Sequence, residues 1–90
     1  MNTYIINGAE MTSRESAWAE IRRVVDTPEW FGNNLDALND ILTGVNGEIR
    51  FTHACRMLNS LEGYGCRMLQ VFYDAARNNP HISFIAGGHE

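Results

Sequence analysis

Asp36, Asn39, Asp40 and Thr43 recur at intervals of three, one and three residues, so a helix through this stretch carries all four on one side. Two carboxylates one turn apart can act as a general acid–base pair, stand as fixed anions before a basic partner, or simply face solvent. Acid–base catalysis needs a pocket and a nucleophile or oxyanion device, and no such motif accompanies them. An ordinary solvent face is disfavoured on three grounds. Like charges at this spacing cost a helix about 0.2–0.5 kcal/mol. An anion in the C-terminal half opposes the helix dipole by roughly 0.3–1 kcal/mol. Aspartate is a poor helix former, and no lysine or arginine lies nearby in the sequence to compensate. Where a segment weakens its own helix, a constraint from outside the fold is expected.

The remaining chemistry-bearing residues are sparse. His53-Ala54-Cys55, taken with Cys66, does not have the spacing of a metal site, and packing thiols are the expected outcome. No metal or other cofactor is expected. Trp30 lies between Pro28 and Gly32 in a loop, where it either packs inward or stands at an interface. Gly87-Gly88 is too isolated to form a phosphate loop.

With 90 residues, 44% hydrophobic and 20% charged, the sequence reads as a single globular domain spanning 1–90. No apolar run approaches a membrane span, and the opening residues lack the pattern of a secretory signal, so a cytoplasmic location is expected, with both thiols free. Seven arginines, no lysine and 11 acids leave a net charge of −4, which argues against nucleic acid as a direct ligand. The excess is local. Between Arg23 and Arg50 there is no base, while Asp26, Glu29, Asp36, Asp40 and Glu48 all fall there. Such a block is either a solvated face or a surface for a cationic partner.

The elements that must position these residues follow from periodicity and turn chemistry. Tyr4-Ile5-Ile6 reads as a strand closed by Asn7-Gly8. Thr12 and Glu15 have capping-box spacing, and Ala17, Trp18, Ile21, Val24 and Val25 continue as a helix until Asp26-Thr27-Pro28. After the loop at 30–33, Asn33 can cap a second helix with Leu35, Leu38, Ile41 and Leu42 inward, ending at Thr43-Gly44. Ile49-Arg50-Phe51 reads as a strand following the Asn46-Gly47 turn. A short helix over about 52–61 breaks at Gly63 and Gly65, and a longer one carries Met68, Leu69, Phe72 and Ala76 up to Asn78-Asn79-Pro80. The nearly all-apolar 82–86 has the look of a central strand covered on both faces. Alternating strands and helices predict an α/β domain with a small parallel sheet.

Within this frame, residues 30–44, Trp-Phe-Gly-Asn-Asn-Leu-Asp-Ala-Leu-Asn-Asp-Ile-Leu-Thr-Gly, resemble the central signature of the barstar family, intracellular inhibitors of ribonucleases such as barnase. Leu69-Gln70-Val71-Phe72 with Asp74 and Ala75 is similar to the family's last helix, and Ile5-Ile6-Asn7-Gly8 to its first strand and turn. The resemblance implies a barstar-like α/β fold, a three-stranded parallel sheet with three to four packed helices. It also implies a non-enzymatic immunity protein or antitoxin that blocks a ribonuclease 1:1. Asp40 would be the central anion, with Asp36 flanking it and Asp74 contributed by the last helix. Trp30 would pack on the partner's catalytic histidine, while Leu35 and Gly44 would permit close approach. Asn34, Asn39, Thr43 and Val45 complete the implied partner-binding set. The family's aromatic within the second helix is Asn39 here, its aromatic after Thr-Gly is Val45, and an acid one turn after Asp74 is Asn78. Those changes leave open an alternative, a binding module for a basic protein that is not a nuclease.

Overall fold

The computed structural model describes residues 2–90. Along the chain lie β1 (Asn2–Asn7), a 3-10 turn (Gly8–Glu10), α1 (Arg14–Val24), α2 (Leu35–Leu42), β2 (Gly47–Thr52), α3 (Ala54–Leu61), α4 (Gly63–Asn78) and β3 (Ile82–Ala86). The strands form one parallel sheet in the order β1-β2-β3. The architecture is therefore α/β, a three-stranded parallel sheet with four α-helices.

Alternation along the strands decides which face the helices cover. Ile6, Ile49, Phe51 and Ile82 are buried, and Tyr4, Phe84 and Ala86 pack against them. The intervening Thr3, Ile5, Arg50, Ser83 and Ile85 are exposed. Trp18 and Ile21 from α1, Leu38 and Leu42 from α2, Met57 from α3, and Met68 and Phe72 from α4 complete one continuous core. Phe72 joins helix to sheet, edge-on to Phe51 and stacked on Phe84 at 5.2 Å.

The expectation that 82–86 is central and doubly covered is overturned. The interior strand is β2, and β3 is an edge. Its pattern misleads because Ile85, which faces the bare side of the sheet, is as apolar as the inward Ile82 and Phe84.

Caps shift by one residue from the sequence reading. Ser13 caps α1, exchanging hydrogen bonds with Ser16 in a capping box, where Thr12 and Glu15 were expected. Asn34, not Asn33, caps α2: its Oδ1 accepts the Ala37 N–H at 2.8 Å. The break before α4 falls at Glu62, with φ 53°, and both Gly63 and Gly65 lie inside that helix. Gly47 opens β2 at φ +149°, where a Cβ would stand 2.2 Å from the Asn2 carbonyl oxygen, so only glycine lets β1 and β2 pair from that point. α3 has no side-chain cap. Its first N–H groups, from His53, Ala54 and Cys55, donate to the carbonyls of Glu90, Gly87 and Gly88 instead.

A buried carboxylate fastens α1 to the sheet. Glu20 is 5% exposed, accepts the Asn7 N–H at 2.9 Å and is gripped by both Nε and Nη2 of Arg23. The Arg23 hydrogen bond holds its carboxyl below the ordinary glutamate value, outweighing the opposing effect of burial.

Candidate partner-binding face

α2 divides sharply into two sides. Ala37, Leu38 and Leu42 are buried, Leu35 and Ile41 are half-buried at the margins, and Asp36, Asn39, Asp40 and Thr43 are exposed. The helix has no base in its last turn. Among the described residues the ion pairs join Arg23 to Glu20, Arg50 to Glu48 and Arg77 to Asp74. Asp36 and Asp40 take part in none of them. Both anions are exposed and unpaired among the described residues, on one face of a short helix.

The central acidic block does not act as one surface, however. Glu48 lies on the bare side of the sheet and is paired there with Arg50. The negative face is thus narrower than the run of sequence suggests, and centres on Asp36 and Asp40.

Past Asp40, the helix ends in a tight turn. Thr43 Oγ1 donates to the Asp40 carbonyl at 2.6 Å, and the N–H groups of Thr43, Gly44 and Val45 bond back to the carbonyls of Asp40, Ile41 and Leu42. Nothing inside the protein requires glycine at 44. Its φ is not in the left-handed region, and an added Cβ would lie 3.8 Å from its nearest neighbour among the described residues, the Ile41 carbonyl oxygen. Val45 is half-buried against the core. Open hollows flank this turn. One, of about 430 Å³, lies between Asp40 and the chain at Val25, Asp26 and Pro28. The other, of about 260 Å³, has Asn39 and Thr43 on one wall and Ala75 and Asn78 on the opposite one.

The loop leading into α2 is held from α1. Phe31 is buried edge-on against Trp18, with ring centroids 5.7 Å apart. Arg22 sets its guanidinium over the Phe31 ring, donates from Nη2 to the Phe31 carbonyl at 2.7 Å and from Nε to Asn33 Oδ1 at 2.9 Å. With Phe31 inside, Trp30 is left 67% exposed beside the N-terminus of α2. Inward packing of this tryptophan is thereby removed as an alternative. Arg22 was not singled out from sequence. Its place in the last turn of a helix before a polar loop was the available signal, but Arg23 shared it.

Asp74 is differently placed. It sits on α4, which packs against α2, and its carboxylate already accepts from Arg77 on its own helix and from Gln70 Nε2 at 2.9 Å. The structure therefore brings Asp74 to the neighbouring helix, but in a paired state that Asp36 and Asp40 do not share. Cys55 and Cys66 are free thiols, the first partly buried and the second exposed. Among the described residues no group of three His, Cys, Asp or Glu side chains is arranged to hold a metal ion, and no helix is long and apolar enough to cross a membrane.

The family model described as Barstar (barnase inhibitor) matches residues 1–86. A comparison with curated proteins finds no match.

Proposed function

The chain belongs to the barstar family, and from that premise we propose that it is a stoichiometric protein inhibitor of a ribonuclease, covering the enzyme's active site with the exposed face of α2. One observation carries the reading: Asp36 and Asp40 stand one turn apart on an exposed face with no cation among the described residues paired to either. An enzyme that cleaves RNA gathers arginine, lysine or histidine side chains around a phosphate. Asp40 takes the place of that phosphate, and Asp36 supports it from the preceding turn. Asp74 joins them by exchanging Arg77 for a cation of the partner. Trp30 and Leu35 add apolar contact at one end of the helix, while Gly44 and Val45 shape the other. Asn34, Asn39 and Thr43 supply polar contacts between them.

Charge complementarity accelerates encounter, and carboxylate–guanidinium pairs removed from water slow release. No reaction on this chain is required, because occupancy alone excludes substrate. In this reading the protein acts in the cytoplasm as an immunity protein, protecting the cell that makes the nuclease.

A second reading keeps the face and changes the partner. Asn39, Val45 and Asn78 stand where the family has two aromatics and an acid, which favours a basic protein other than a barnase-like enzyme. Capture of basic proteins from the native host on the immobilised chain separates the two. The captured protein should cleave RNA and lose that activity at one equivalent of inhibitor. A captured basic protein without nuclease activity would overturn the first reading in favour of the second.

A further inference from the structure

Asn79 follows α4 directly, in the turn to β3, and its side chain reaches across to the end of α2. Nδ2 lies 3.3 Å from the Leu42 carbonyl oxygen, 3.4 Å from that of Thr43 and 3.2 Å from that of Val45. Oδ1 accepts the His81 N–H at 2.9 Å. Both ends of the amide are therefore engaged, two hydrogens being shared among three carbonyls. Among the described residues, Asn79 is the hydrogen-bond partner of the Thr43 and Val45 carbonyls.

Leu42 is the last residue of α2, Thr43 is its C-cap and Val45 lies two residues beyond, so these carbonyls fall where the helical hydrogen-bond ladder runs out. The usual remedy, a glycine in the left-handed conformation, is absent here, since Gly44 does not adopt it. The final turn closes instead on bonds of 3.2–3.3 Å between residues three apart. Such a turn frays readily, and Gly44 within it adds freedom. Asn79 ties it from outside.

We propose that Asn79 is a positioning residue for partner binding, holding Thr43, Gly44 and Val45 in place beside Asp40. The proposal rests on the reading of α2 as the inhibitory face. A side-chain amide meets both demands at this point, offering two hydrogens toward α2 and an acceptor toward His81. Aspartate keeps the acceptor but turns an anion toward carbonyl oxygens. Alanine removes both. A partner meeting a loosened turn must order it on binding, which shortens the life of the complex while leaving the charge-guided encounter unaltered.

The test uses the whole chain carrying Asn79→Ala or Asn79→Asp, with Asp40→Ala as reference. Amide hydrogen exchange in the free protein is followed at residues 43–45 and at Ile49 and Phe51 in β2. Affinity and rates are measured against the ribonuclease captured on the immobilised wild-type chain. Exchange at 43–45 should accelerate about tenfold with β2 unchanged, and Kd should rise about tenfold through faster dissociation in both variants. Asn79→Asp removes the donors, keeps the acceptor toward His81 and adds a negative charge, and it serves if Asn79→Ala fails to fold. Uniform acceleration through β2, with Kd within twofold of wild type, would reduce Asn79 to a general stabiliser and overturn the proposal. If Asp40→Ala abolishes inhibition while both Asn79 variants bind normally, the positioning role alone fails. If Asp40→Ala inhibits as well as wild type, the reading of α2 fails and the proposal falls with it.

Discussion

Trp30 and Phe31, adjacent in the chain, face opposite ways: Phe31 is 4% exposed and lies edge-on to Trp18, while Trp30 is 67% exposed. The two rings should therefore separate stability from binding. Phe31→Ala removes a buried aromatic and should cost about 3–5 kcal/mol in folding. Trp30→Ala should change folding by no more than about 0.5 kcal/mol yet weaken the complex by roughly 2 kcal/mol. Urea denaturation beside inhibition titration checks both, and a Trp30→Ala protein that loses stability would show that the ring packs inward.

Asp40→Ala should leave the free protein as stable or raise it by about 0–1 kcal/mol, since the carboxylate repels Asp36 and opposes the helix dipole. The Thr43 hydroxyl bonds to the Asp40 backbone carbonyl, which survives the substitution. Affinity should fall by about 2–5 kcal/mol, the general cost of truncating one partner of a buried, hydrogen-bonded charge pair. A loss of stability above about 2 kcal/mol would instead assign the carboxylate a role inside the fold.

Gly44→Ala offers the same separation without touching charge. The site has room for the methyl group and an ordinary φ, so thermal stability should hold or rise by about 0.4–1 kcal/mol. Inhibition should weaken at least about tenfold if a partner backbone or ring approaches this surface closely. Full inhibition by the alanine protein would remove Gly44 from the contact.

The pH response should be centred on Glu20. Its carboxyl is held below the ordinary value of 4.5, chiefly by the Arg23 hydrogen bond. The stabilisation is therefore complete above that value and is lost as pH falls through the lower folded-state pKa. Glu20→Gln should cost about 1–3 kcal/mol at neutral pH, with the gap from wild type narrowing as the solution is taken below about pH 4.5. Denaturation curves at several pH values measure this, and a gap independent of pH would place the acid response elsewhere.

The face of α2 was legible because it depends on local periodicity alone: the same spacing that turns Leu38 and Leu42 inward turns Asp36 and Asp40 outward. Element order was legible for the same reason. Cap positions slipped where two capping residues adjoin, Thr12 with Ser13 and Asn33 with Asn34, and tertiary contacts chose between them. Asn33 is engaged by Arg22, which leaves Asn34 to cap. The edge position of β3 was hidden by Ile85. The supports of the site were not legible, because Arg22 acts over nine residues of chain to Phe31 and Asn79 over 34–37 residues to the end of α2. No local pattern announces contacts of that span.

Strand order in space is the same as strand order in sequence. No strand has to be inserted between two that are already paired, so the sheet can be laid down from one side as the chain leaves the ribosome. β1, α2 and β2 have all been synthesised by residue 52, whereas Asn79 comes 27 residues later. The sequence of α2 is thus made well before the residue that ties its last turn. If Asn79 positions that turn as proposed, a chain cut short before it would carry the acidic residues without the tie that holds them in shape.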